Sequence, residues 1–507
     1  MTLDLMVPAN DLGDPQRRAA DPSLSAFVTA NAGSGKTKTL IDRVARLLLE
    51  GAKPETVLCV TYTKAAASEM QRRLFDVLGD WSVLPDIDLA DKLAKLDDRR
   101  RDGAELSKAR SPFAQALETP GGLKIQTIHA FCEKLLRRFP LEAGISPGFR
   151  VMDDSASAGV AAAARAEVAH HALNGGGLIA EAYAQMSVAL DFQSFQAMFT
   201  DFEGRRGELK QFLEREGGLD GAVGWVWRAV DVPRGSEPQI LGVEAMAALD
   251  RGLWREAAEV LRLGTATDQK CAAQMAAVAA DLEASFDDAF AVLFTKDGGE
   301  AKWVGKTSCF KAHEALRLRL LAEQARLHLA RQRMAAAQIA QDTTWVLTLA
   351  NAYLQAYRIE KQAVGALDFA DLIDHVRQLL RDRPAAAWVL YKLDGGIDHI
   401  LVDEAQDTAP DQWAIVRALT DEFFSGAGVR GEARVRDMFV VGDEKQSIYS
   451  FQGARPELLL REFEFHRDRA TGAGFRFERV DLLTSWRSTP QVLSFVDAVF
   501  SPPELAG

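Results

Sequence analysis

Cysteine is scarce in this chain: 507 residues hold four, Cys59, Cys132, Cys271 and Cys309. No two form a CxxC pair and none stands in a plausible histidine ligand set, so neither a zinc site nor a disulfide framework is supported. Buried, reduced thiols are expected. Positive charge is in deficit too. Lys and Arg number 60 against 72 Asp and Glu, a net charge of −12. That argues against a surface that is a nucleic-acid footprint throughout. It leaves room for a basic groove, because the potential that matters is that of the cleft. No apolar run is long enough to span a bilayer. Met1 to Ala20 carries Asp4, Asp11 and Asp14 and lacks the basic stretch and apolar core of a signal peptide. A cytoplasmic protein with no membrane partner is the expectation. No internal repeat is visible.

What is present is the composition of a folded protein, 48% hydrophobic and 26% charged, long enough for two or three domains. Residues 1–75 alternate strand and helix: a strand over Leu24–Thr29, a helix over Lys36–Glu50, a strand over Val57–Tyr62, a helix over Lys64–Leu78. This is the βαβ pattern of a parallel sheet. Residues 79–120 are more polar and read as a small insertion. Lys124–Ile128 is a third strand. From about 150 to 365 the sequence turns alanine-rich and helical, as in Ala161–Ala164 and Ala335–Ala337. Strands resume near His399, at Met438–Val441 and at Phe477–Leu483, and a helix is expected over Pro490–Phe500. Within the helical stretch Lys302, Lys306, Lys311, Arg317, Arg319, Arg326, Arg331 and Arg333 concentrate positive charge. A solvated helix face is the favoured reading and contact with duplex phosphates the alternative. Trp225, Trp227 and Trp254 read as core.

Two motifs carry chemistry. Ala30-Asn31-Ala32-Gly33-Ser34-Gly35-Lys36-Thr37 fits G-x-x-x-x-G-K-[ST], with alanine for the first glycine, between a strand and a helix. Gly33 and Gly35 let the backbone approach phosphates and point N–H groups at them. Lys36 would reach the β- and γ-phosphates and Thr37 would hold Mg²⁺. Far downstream, Asp403-Glu404-Ala405-Gln406-Asp407-Thr408 follows the apolar run Ile400-Leu401-Val402. Asp403 suits the hard cation and Glu404 a water to be oriented or deprotonated. Gln406 is a candidate sensor of the γ-phosphate. ATP and Mg²⁺ are the implied ligands.

With these motifs in order, the chain resembles the superfamily 1 DNA helicases of UvrD/Rep type, and within them the AddA-type helicase–nuclease subunits of bacterial double-strand-break repair. Val57 to Met70, Thr127 to Pro140, Val441 to Ala454, Leu483-Thr484-Ser485-Trp486-Arg487-Ser488 and Ala366 to Leu372 are each similar to a segment of that family. The resemblance implies a RecA-like parallel-sheet motor domain of α/β class with a large helical insertion. Residues 1–150 and 366–465 would form the motor domain, 151–365 the insertion, and 466–507 the start of a second RecA-like domain. It implies ATP-driven 3′-to-5′ movement on single-stranded DNA, unwinding of duplex, and an AddB-like second subunit. Gln16 would read the adenine edge and Trp486 stack on it, where the family usually has tyrosine. Residues Ala32 to Thr37 would line the phosphates. Arg487 would reach the γ-phosphate across the cleft, and Gln446 would couple that phosphate to the DNA. Tyr62, His129, Tyr449 and Phe451 would meet the strand. From the side chains alone, core packing is the favoured reading of Tyr62 and Phe451 and sequence-independent stacking on bases the alternative, and His129 alone reads as a core histidine.

Gln452 stands where many relatives carry Arg. The later motifs of a second motor domain and a nuclease region have no counterpart here, so the chain reads as an N-terminal part, expected to bind and hydrolyse ATP weakly alone. The competing readings are a stand-alone UvrD-like repair helicase and a nucleotide-dependent DNA clamp that does not translocate. A transporter or chromosome-clamp ATPase is disfavoured by the absence of an LSGG-like signature.

Overall fold

The computed structural model describes residues 14–120, 122–301, 304, 307–394, 396–421, 423–424, 436–449 and 453–500. They form two compact units, Met1–Asp153 with Gly365–Gly507, and Asp154–Val364.

The first unit is built on a six-stranded sheet. Its strands are β1 (Ser25–Ala30), β2 (Val57–Thr61), β3 (Lys124–Thr127), β6 (His399–Val402), β7 (Asp437–Gly442) and β8 (Phe477–Leu482). The order is β3-β2-β6-β7-β1-β8, and every neighbouring pair is parallel. Two short strands, β4 (Arg150–Val151) and β5 (Ala366–Leu367), pair where the chain leaves this unit and returns to it. Central strands β2, β6 and β7 are buried from end to end, as a parallel sheet covered on both faces requires. Successive side chains on β1 point to opposite faces: Phe27 joins the core with helices Ile128–Arg138, Phe369–Arg381 and Pro410–Thr420, while Ala26 and Val28 join that with helices Lys36–Glu50 and Lys64–Val83.

Element boundaries follow local capping. Thr63 and Thr127 each accept a backbone N–H, from Ala66 and Ala130, and so start helices where the apolar strands end. The third strand therefore stops at Thr127, one residue earlier than expected. Residues 79–120, expected to be merely polar, extend the helix to Val83 and add three short helices around buried Leu89, Leu93 and Leu106.

The largest difference from expectation lies at the end of the chain. Phe477–Leu482 falls in the stretch assigned to a second motor domain, yet it is the edge strand β8, in register with β1 from Ser25↔Phe477 to Ala30↔Leu482. Its alternation buries Phe477, Val480 and Leu482 against the same cores. It also satisfies the otherwise open side of β1.

The second unit is helical, and its longest element runs for 50 residues, Glu314–Ala363. Trp227 and Trp254 are core, whereas Trp225 is 43% exposed and rests edge-on against Phe212. The basic stripe is largely self-neutralised: Arg317 pairs with Glu314, Arg319 with Asp250 and Glu256, Arg326 with Glu323 and Arg331 with Asp287. Lys302 and Lys306 lie outside the described residues. All four cysteines are free thiols. Among the described residues no helix is long and apolar enough to cross a membrane.

Candidate active site

The site candidates collect at the C-terminal ends of the strands, the edge at which open α/β sheets bind ligands. After β1 the chain turns through Gly33 (φ 74°) and Gly35 (φ 90°) into helix Lys36–Glu50. Both glycines are required twice over. Their backbone is left-handed, and a Cβ on Gly33 would lie 2.6 Å from the Cβ of Arg487, one on Gly35 2.6 Å from Nε2 of Gln16. The loop is held from two sides. Gln16 donates to the Ser34 carbonyl at 2.7 Å, and the Trp486 backbone N–H donates to the Gly33 carbonyl at 2.8 Å. The indole of Trp486, 60% exposed, passes 4.0 Å from the position of a Gly35 Cβ. Gln16, Trp486 and Arg487, from opposite ends of the chain, thus flank one phosphate-type loop. Ala32 is exposed at its crown and Thr37 half-buried in the first helical turn.

The acidic segment faces the loop. Lys36 Nζ stands 3.5 Å from the Glu404 carboxylate and donates to Gln446 Oε1 at 3.3 Å. Glu404 takes left-handed backbone angles, φ 49° and ψ 47°. Such a residue persists only where its surroundings hold it, and it turns this carboxylate out of the strand. Asp403 is buried. Burial first, then the neighbouring Glu404, push its carboxyl up to about 7, against the pull of Lys36. Its Oδ1 and the Ser34 hydroxyl are buried without a hydrogen-bond partner. Two orphaned oxygens beside a lysine and a left-handed glycine loop are the complement of a phosphorylated ligand with a hard cation. The residues present therefore fit Mg²⁺ and a nucleoside triphosphate. Among the described residues no three acidic, His or Cys side chains form a metal-binding cluster of their own.

Gln406, a candidate sensor of the γ-phosphate, is hydrogen-bonded within the protein. Its Oε1 accepts the Asp443 N–H at 2.9 Å, and its Nε2 donates to Glu404 at 2.7 Å and to Asp407 at 3.4 Å. It is 1% exposed. Its amide is consumed in orienting Glu404 and tying the end of β6 to that of β7, so the group that meets Lys36 is Gln446. Gln446 in turn donates to Asp443. Gly442 makes room for this clamp, since a Cβ there would come 2.9 Å from Gln406 Oε1.

The aromatic candidates divide. Tyr62 and Tyr449 stack on each other, centroids 4.2 Å apart and tilted by 39°. Burial, then Tyr449 and Asp407, push the Tyr62 phenol up to about 12. Asp407 accepts from the Ser447 hydroxyl at 3.1 Å, which joins this pair to the loop of Gln446. A small cavity beside Tyr62 is walled by Thr61, Ile128, Asp403, Thr408 and Gln412. His129 packs edge-on against the ring of Phe369, 5.1 Å away, and burial lowers its pKa. Phe451 lies outside the described residues.

One buried network escaped the sequence entirely. Asp437, at the start of β7, is bound by Arg43 of the loop's helix and by His399. Arg43 also donates to the carbonyls of Ala19 and Asp21 at 2.8 Å. Burial would raise the Asp437 carboxyl, but Arg43 and His399 outweigh it and hold it below the usual range. This network sits at the strand ends opposite the site and fixes helix Lys36–Glu50 from below.

The family model described as UvrD/REP helicase N-terminal domain matches residues 12–466. The chain is 28% identical over 519 residues to the A subunit of the ATP-dependent helicase/nuclease from Desulforudis audaxviator, covering 94% of this chain and 38% of that protein. It is 26% identical over 523 residues to the protein of that name from Pelotomaculum thermopropionicum (94% and 37%). It is 24% identical over 535 residues to the one from Enterococcus faecalis (97% and 38%). The chain thus spans less than two fifths of the length of these relatives.

Proposed function

The chain belongs to the UvrD/REP helicase family, and on that footing we propose that it is the nucleotide-hydrolysing part of a 3′-to-5′ DNA helicase of the helicase–nuclease type. The observation that carries this reading is the convergence of Lys36, Glu404 and Gln446 on one point above the glycine loop. Gln16 and Trp486 stand at that loop.

In this reading Lys36 binds the β- and γ-phosphates and gives up its contact with Glu404 as it does so. Thr37 and Asp403 would hold Mg²⁺, which supplies charge neutralisation on the phosphates. Glu404, turned outward by its backbone and steadied by Gln406, orients the attacking water and takes its proton. Gln16 and the exposed indole of Trp486 receive the base. Arg487, beside Gly33, lies within reach of the terminal phosphate. Tyr62 and Tyr449 supply a stacking surface for single-stranded DNA. The loop from Asp443 to Tyr449 touches both the Lys36 partner and that surface, so a change at the phosphate is passed to the DNA grip. A role in double-strand-break repair with an AddB-like partner is supported by the relatives alone, whose names describe one subunit of a helicase/nuclease.

The test is Glu404→Gln. ATP binding persists while DNA-stimulated phosphate release falls by about 10²–10⁴. Hydrolysis equal to wild type removes the proposal.

A further inference from the structure

A second surface of the motor unit carries positive charge that, among the described residues, forms no ion pair with a carboxylate. Helix Ile128–Arg138 presents Lys134 and Arg138, both exposed. Lys134 donates to the neutral amide oxygen of Gln126 at 2.7 Å. Lys124 opens β3, donates to the Gly396 carbonyl at 2.7 Å, and lies in the repulsive field of Arg138 and Lys134. Arg138 covers the ring of Phe139, centroid distance 5.1 Å. Phe139 meets Trp388 edge-on at 5.6 Å, and Lys392 stands 5.7 Å from the Trp388 ring. Trp388 and its neighbour one helical turn on, Tyr391, are 47% and 60% exposed.

Arg138, Phe139, Trp388 and Lys392 thus run in successive ring contacts, with Lys124 in the field of Arg138 and Lys134 and Tyr391 one helical turn from Trp388. Among the described residues none of the four cations is within ion-pair distance of a carboxylate. The nearest opposing field is that of Glu55 and Asp398 on Lys124, and Asp398 already faces Arg436 at 3.9 Å. In a chain of net charge −12, leaving four neighbouring cations unpaired costs stability through mutual repulsion. A polyanion would relieve it. The interleaved aromatics add a selective element, since every nucleobase offers a π-face to a partly exposed indole or phenol. The patch lies at the start of β3 and the end of helix Ile128–Arg138, away from the strand ends that carry Lys36 and Tyr62.

We propose that Lys124, Lys134, Arg138 and Lys392, with Trp388 and Tyr391, form a second contact for single-stranded DNA, separate from the one at Tyr62. The choice of DNA over other polyanions rests on the helicase reading. The cations take phosphates and the aromatic pair takes a base, so the strand is held without sequence preference.

The experiment is photo-crosslinking of an oligothymidylate containing 5-iododeoxyuridine to the whole chain, with the linked peptides identified by mass spectrometry. Binding is measured in parallel by fluorescence anisotropy across a salt series. Crosslinks at Trp388 or Tyr391 are expected. The double variant Arg138→Gln/Lys392→Gln, with an unchanged melting temperature, should lose these crosslinks, bind roughly tenfold more weakly, and show a shallower salt dependence by about one to two contacts. Trp388→Leu should weaken binding by about fivefold or more. Crosslinks confined to Tyr62 and Tyr449 overturn this inference and leave the helicase reading standing. Crosslinks nowhere overturn both. Polyglutamate that binds in a variant-sensitive way, while the oligonucleotide does not, assigns the surface to an acidic polypeptide and overturns it too.

Discussion

The Lys36 ammonium stands 3.5 Å from the Glu404 carboxylate, the end of one strand meeting the end of another two positions away in the sheet. In this arrangement the lysine expected to bind phosphate and the carboxylate expected to activate water neutralise each other. On the proposed function, bound nucleotide would separate them. Lys36→Ala should therefore abolish binding of a fluorescent ATP analogue, and Glu404→Gln should tighten it slightly by freeing the lysine. Equal affinity in wild type and Lys36→Ala would show that the triphosphate sits elsewhere.

Gly35 tests the loop by sterics alone. A methyl group there meets Gln16 Nε2 at 2.6 Å, and the backbone φ of 90° adds strain. Gly35→Ala should lose nucleotide binding with a small change in melting temperature. Gln16→Ala relieves the clash, so the double variant should recover part of the binding. No recovery would mean that backbone angle, not the Gln16 contact, sets the loop.

The Tyr62–Tyr449 stack predicts a DNA phenotype without a nucleotide phenotype. Tyr62→Ala should weaken oligothymidylate binding by about 1–3 kcal/mol. ATP affinity without DNA should stay at the wild-type value. A parallel loss of ATP affinity would make Tyr62 a structural residue.

His466 gives a pH prediction. It is completely buried, and burial, then Arg417, lower its pKa to about 3. In the unfolded chain it binds a proton near pH 6.5. The unfolded state therefore holds more protons between those values, and stability falls as pH drops from about 6.5 towards 3. Neither ring nitrogen has a hydrogen-bond partner, so His466→Leu should be close to neutral at pH 7 and increasingly stabilising at pH 5. Denaturant melts at the two pH values check this. A variant equally affected at both pH values refutes it.

The Arg43–Asp437–His399 network predicts a further loss of stability in acid, at lower pH than the onset set by His466. A depressed Asp437 carboxyl contributes stability above about pH 4, lost as pH falls through its folded value. Arg43→Met leaves that carboxylate buried with His399 alone and should cost about 3–5 kcal/mol. Its effect should shrink in acid. Thermal melts from pH 7 to 3 measure it.

Local features are legible because they are encoded in a few consecutive residues. The glycine loop, the helix that begins at Lys36, the capping threonines 63 and 127, and the apolar strands before Tyr62 and Asp403 need only the period of their side chains and the φ demanded at Gly33 and Gly35. The resemblance around Gln446 implies a role at the nucleotide, and Gln446 stands 3.3 Å from Lys36 in the structure. Gln406 reads from its neighbours as a phosphate sensor, but its role depends on Asp443, a partner contributed by a different strand. Trp225 reads as core from its type, yet which face of a helix is covered depends on what packs there, and Phe212 covers only its edge.

The order of residues alone determined that a phosphate loop and an acidic strand end exist, since each is a property of backbone angles and side-chain spacing within about ten positions. Which strands lie side by side was decided only on folding. Parallel neighbours are joined by long crossovers, so their adjacency is selected by burial of both sheet faces rather than by any short signal. That is why β8 closes on β1, and why Gln16 and Trp486, at opposite ends of the sequence, hold the same glycine turn.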